Sequence, residues 1–71
     1  MRYLVVVEQG ATSYGAYVPD LPGCLAASES REEVLPLIRE AIGLHLEDLR
    51  KEGQPIPAPS SFCELVEIGA A

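Results

Sequence analysis

Tyr14-Gly15-Ala16-Tyr17-Val18-Pro19-Asp20-Leu21-Pro22-Gly23-Cys24 is the stretch on which the fold turns. It begins as a strand, with Tyr14, Ala16 and Val18 alternating to one face and Gly15 and Tyr17 to the other. It then stops abruptly. Pro19 and Pro22 fix φ and remove two backbone donors, so neither fits inside a paired sheet, while Asp20 and Gly23 supply turn geometry between and after them. The reading is a rigid corner at the end of a strand.

On the N-terminal side, Tyr3 to Glu8 contains Leu4-Val5-Val6-Val7, an apolar and mostly β-branched run of the kind found in a strand covered on much of both faces. Gln9 to Ser13 is a polar break of hairpin length, so the two strands are expected to run antiparallel. On the C-terminal side, Cys24 to Ser28 is short and apolar enough for a third strand, which completes a meander. Ser30 and Glu33 have the capping-box spacing, and a helix is expected from there to about Lys51. Its apolar face holds Val34, Ile38, Ala41, Ile42, His45 and Leu49, widened by Leu35, Leu37, Leu44 and Leu46. Pro36 in the second turn and Gly43 further on weaken it, so a bend or a loose first turn is expected. Gly53 ends the helix. Gln54 to Ser61 carries three prolines at alternate positions and must be extended, leading to a last strand at Phe62 to Ile68. The expected order is β-β-β-α-β: an α+β domain with an antiparallel meander and one long helix on one face.

The order of strand, Pro-Asp-x-Pro-Gly-Cys corner, strand and helix, followed by Gly53-Gln54-Pro55-Ile56-Pro57-Ala58-Pro59-Ser60, resembles the HicB-like antitoxin domain of toxin-antitoxin systems. The resemblance runs from about Tyr3 to Ser60. Where that family usually has a Gly-Asp-Thr-like approach to the helix, this chain has Ser28-Glu29-Ser30, keeping the capping hydroxyl but losing the glycine. The resemblance implies a reduced ribonuclease-H-like fold, and a partner in the form of a small basic HicA-type toxin, an mRNA interferase whose active site is covered. Such antitoxins usually continue into a DNA-binding domain; residues 1–71 are read here as a single HicB-like domain without one.

Size and charge fit that expectation. A chain of 71 residues buries only roughly 60% of its unfolded surface, which gives assembly into a homodimer or higher oligomer a stabilising role. Eleven acidic against five basic residues, a net charge of -6, oppose direct binding to nucleic acid and favour a basic protein partner. No apolar run beyond Leu4 to Val7 marks the N-terminus, so neither membrane span nor secretory signal is read and the location expected is cytoplasmic. Cys24 and Cys63 are far apart and in no metal-ligand spacing; they read as reduced small hydrophobes.

The residues with chemical potential have plainer readings. A ribonuclease H-type enzyme needs several carboxylates converging on a divalent metal, whereas here Glu8 closes a strand, Asp20 lies in the corner, and Glu32, Glu33, Glu40, Glu47 and Asp48 ride on the helix. His45 projects from the apolar helix face without a nucleophile nearby in sequence and reads as a packing residue. Catalytic, cofactor-binding and metal residues are therefore assigned as none, and the protein is read as a non-enzyme. What the corner offers is a surface stiffened by prolines, which costs little further ordering on binding. Tyr17, Asp20, Leu21 and Pro22 are the partner-binding candidates, with Glu40, Glu47 and Asp48 supplying charge. The function expected is occlusion of a toxin ribonuclease; the alternative is an orphan oligomeric interaction module with no toxin partner.

Overall fold

The computed structural model describes residues 1–69. Three strands, β1 (Val6–Gln9), β2 (Tyr14–Tyr17) and β3 (Leu25–Ser28), form an antiparallel sheet in the order β1-β2-β3, and one helix, α1 (Arg31–Lys51), follows. Val6 pairs with Tyr17 and Tyr17 with Leu25; one step along, Val7 pairs with Ala16 and Ala16 with Ala26. The Ala16–Ala26 pair puts two small side chains toward the helix, which packs across β2 and β3. The α+β class and the meander-plus-helix order agree with the sequence reading. Gly10 N–H donates to the Ser13 carbonyl at 2.8 Å and closes the β1–β2 link.

The corner between β2 and β3 is two β-turns in succession. Leu21 N–H donates to the Val18 carbonyl at 3.0 Å and Cys24 N–H to the Leu21 carbonyl at 3.1 Å, so Pro19 and Pro22 each take the second position of a turn. Their ring-fixed φ suits that position. Gly23 follows Pro22 with φ of +84°, the left-handed geometry that the third position of a type II turn demands. Val18 N–H donates to the Cys24 carbonyl at 3.2 Å across the base. These bonds use the backbone of Val18 and Cys24, which is why β2 ends and β3 begins one residue inside the expected limits.

Ser30, with extended backbone, caps α1: its Oγ accepts from Glu33 N–H at 3.1 Å, and its carbonyl takes Val34 N–H at 3.1 Å. Ser28 Oγ donates to the same carbonyl and locks the approach. At the other end, Gln54 N–H reaches the Leu49 carbonyl at 2.9 Å and Gly53 N–H the Arg50 carbonyl at 3.1 Å, with Gly53 at φ +68°. This pair of bonds is a Schellman motif. Between the caps the helix is continuous through Pro36 and Gly43, because Val34 and Ile38, which flank the proline, are both buried and hold that turn to the sheet. Replacing Ser30 by alanine removes one capping acceptor and is expected to cost about 1 kcal/mol, seen as a fall of roughly 4–8 °C in a thermal melt followed by circular dichroism.

The buried core is small: Ala16, Val18, Leu21, Cys24, Val34 and Ile38, with Tyr3, Val5, Val7, Tyr14, Ala26, Ala41, Ile42 and Leu46 packed around it half-buried. The apolar helix face is thus used along its centre, while Leu35, Leu37 and Leu44 at its margins are exposed. Residues 62–68, expected as a last strand, correct that reading, since they form no regular secondary structure and pair with no strand among the described residues. The reason is where they start. The preceding serines are tied to Asp20 at the corner end of the sheet, and from that tie the chain joins neither sheet edge. The molecule is correspondingly elongated, at 50 × 27 × 17 Å.

Candidate interaction surface

The corner and the proline-rich segment meet at one carboxylate. Asp20 Oδ2 accepts the backbone N–H groups of Ser60 at 2.9 Å and Ser61 at 3.0 Å, while Oδ1 accepts their hydroxyls at 3.0 and 2.7 Å. Four donors on one half-exposed carboxylate stabilise its charged form. The Ser61 amide and then the Ser60 amide are the main causes that bring the Asp20 pKa from 3.8 down to about 2, helped by the Ser61 and Ser60 hydroxyls and opposed by partial burial. A second tie lies nearby in the chain, where Tyr3 Oη donates to the Pro57 carbonyl. Together these bonds fasten residues 57–61 across the corner end of the sheet. The prolines leave this segment few backbone donors of its own, so it is held by side chains reaching to it.

Among the four corner residues singled out from sequence, the placements differ. Tyr17 is 42% exposed and stands on the sheet face away from the helix, in a cross-strand row with Val6 and Leu25. Pro22 is exposed and Asp20 is engaged by the two serines. Leu21 is 0% exposed, because the double turn folds it back into the core. It can shape the corner from below but offers no surface. Glu40, Glu47 and Asp48 are exposed along α1, with Lys51 Nζ 3.4 Å from Glu47 on an exposed helix turn, a pairing worth little. His45 is half-buried on the helix.

The serine clasp and the outer apolar strip were missed from sequence. Ser60 and Asp20 lie in the two stretches that carry the family resemblance, and their joint occurrence is the one signal from which a contact between them could have been read. The strip on the open sheet face, Val6, Tyr17 and Leu25, follows from alternation once the register is known. Among the described residues there is no surface pocket, and no three histidine, cysteine or acidic side chains are gathered so as to hold a metal ion. No helix among them is long and apolar enough to cross a membrane.

The two thiols are in opposite environments, since Cys24 is 4% exposed and Cys63 lies exposed in the C-terminal segment. Burial also raises the Cys24 pKa and so disfavours its reactive thiolate. A thiol reagent at neutral pH is expected to modify one cysteine per folded chain, at Cys63, and two after denaturation. Peptide mapping of the labelled protein checks this, and early labelling at Cys24 would contradict the packing of the corner.

Comparison with known proteins gives a consistent result. Residues 3–68 match the sequence model of a family described as HicB_like antitoxin of bacterial toxin-antitoxin system. A UPF0150 protein of Thermoplasma acidophilum is 36% identical over 58 residues, which are 80% of this chain and 84% of that protein. Antitoxin HicB 2 of Photorhabdus laumondii is 32% identical over 72 residues, 100% of this chain and 52% of the relative. An uncharacterized 14.9 kDa protein of Haemophilus phage HP1 is 32% identical over 57 residues, 80% of this chain and 43% of the phage protein. The chain therefore spans about half the length of the latter two. No solved structure gives a significant match.

Proposed function

This chain belongs to the HicB-like antitoxin family, and from that premise we propose that it binds a small basic HicA-type mRNA interferase and occludes its active site. The observation that carries the reading is the double-turn corner, stiffened by Pro19 and Pro22 and braced from behind by the Asp20 clasp, on a protein of net charge -6. A surface whose backbone is already ordered loses little entropy on docking. Tyr17 and Pro22 are the exposed contact residues proposed, Asp20 sets the corner's shape while keeping its negative charge, and Leu21 supports them from the core. Glu40, Glu47 and Asp48 add an acidic helix surface that attracts a basic partner and speeds encounter. The role is non-catalytic, and residues 1–71 act as one domain in it.

The test is calorimetric titration of the protein with a HicA-like protein encoded beside it, alongside an RNA-cleavage assay. Binding that silences the ribonuclease and weakens as salt rises is the expected result. A tight complex in which cleavage continues unchanged would overturn occlusion. Failure of the neighbouring protein to bind at low salt would overturn the partnership itself.

A further inference from the structure

The C-terminal segment and the sheet edges pose one problem between them. Phe62, Leu65, Val66 and Ile68 are 77%, 101%, 75% and 74% exposed, so four large apolar side chains stand in water on a stretch that belongs to no helix or strand. In the same molecule, β1 and β3 each have a strand neighbour on one side only among the described residues. An open edge is a row of unused donors and acceptors that takes up any extended chain reaching it. The two edges are unequal, however. β3 is confined to Leu25–Ser28 between the corner and the Ser28–Ser30 lock. β1 is preceded by Tyr3, Leu4 and Val5, which prolong it into a seven-residue run, Tyr3 to Gln9, that matches 62–68 in length and contains no proline.

We infer that residues 62–68 add as a strand to the β1 edge of a second copy of this chain, and that the second copy returns the same segment. The occupant is a second copy because one chain carries both halves of the pairing and the clasp keeps them apart within it. The four bonds to Asp20 fix Ser60 and Ser61 at the corner end, and beyond them Phe62, Leu65, Val66 and Ile68 stay exposed instead of covering an edge of their own sheet. Exchange in both directions closes a two-fold dimer, with each apolar segment covered once and no edge added without limit. The segment's root is ordered in advance by the clasp, which makes Asp20 a positioning residue for the exchange.

Charge gives this dimer a distinctive sign. Two copies of net charge -6 repel, so added salt screens the repulsion and tightens the dimer, opposite to the salt response of a complex with a basic partner. The inference does not rest on the antitoxin reading, and this sign separates the two.

The experiment is sedimentation equilibrium of the full chain across concentration and at low and high salt, with Leu65→Asp, Val66→Asp and, as control, Leu37→Asp on the helix. Leu65 and Val66 are exposed in the single chain, so the variants keep its circular dichroism spectrum. The wild type and Leu37→Asp are expected to dimerise more tightly at high salt, and each tail variant to raise the dimer Kd by about tenfold or more. In a dimer of mixed isotope labels, methyl contacts between chains should join Leu65 or Val66 to residues of 3–9. A monomer at every concentration overturns the inference, as does a dimer indifferent to Leu65→Asp and Val66→Asp. So do inter-chain contacts confined to Leu37 and Leu44.

Discussion

Leu21→Ala is expected to lower the melting temperature by roughly 10–30 °C, leaving the chain at the margin of stability. Leu21 is fully buried in a core of six residues, and truncating such a side chain costs about 2–5 kcal/mol, part of it the cavity left behind. A chain of this size has a total stability of roughly 4–10 kcal/mol, so one residue accounts for a large share. The corner makes collapse of the cavity difficult, because two hydrogen-bonded turns with their prolines hold the backbone around it. Leu25→Ala is the control: that side chain is 68% exposed on the other sheet face, and its loss should move the melt by only about a degree or two. Thermal melts by circular dichroism decide the matter. A Leu21→Ala midpoint within a few degrees of wild type would show that the corner does not depend on its buried leucine.

Asp20→Asn should release residues 60 and 61 while leaving the sheet and helix in place. The amide side chain keeps one acceptor oxygen but loses the charge that strengthens all four bonds and the second oxygen that half of them use. Hydrogen exchange at the Ser60 and Ser61 amides is expected to accelerate by roughly tenfold or more, read by NMR against unchanged core amides. The pH dependence has a definite direction. Because the folded-state pKa is depressed to about 2 from 3.8, the clasp's contribution is complete above about pH 4 and is lost as pH falls through about 2. Around neutrality the wild-type tie is insensitive to pH. The Asn variant should lack the acid transition in the Ser60 and Ser61 signals, and an identical transition in both proteins would place its origin elsewhere.

The parts of the fold that were legible in the sequence are those fixed by neighbouring residues. Pro19, Pro22 and Gly23 dictate their turns through φ alone, Ser30 caps three residues ahead, and Gly53 ends the helix through bonds reaching back within its last turns. Such signals sit where they act. The unread parts depend on distance in the chain. Residues 62–68 have the composition of a strand, but a strand also needs an edge within reach, and the clasp to a carboxylate 40 residues earlier removes that reach. The same bonds redefine Asp20: its sequence context is that of a turn residue accepting backbone amides, and it does accept amides, though from Ser60 and Ser61. Leu21 escaped for a different reason. Its direction is set by two turns in succession, which reverse an exposed-looking loop position into the core, and hydrophobic periodicity has no meaning inside a corner.

All six buried core residues fall between Ala16 and Ile38, and each strand pairs with its immediate neighbour in sequence. The chain therefore has little distance to search before its core closes, and a polypeptide growing from its N-terminus holds the complete core while the second half of the helix is still being added. The ties of Tyr3 to Pro57 and of Asp20 to Ser60 and Ser61 span more than half the chain, and they wait for synthesis to pass that point. Fastening the proline-rich segment is thus a separate, final event in the life of each new molecule, laid over a sheet and helix that already stand.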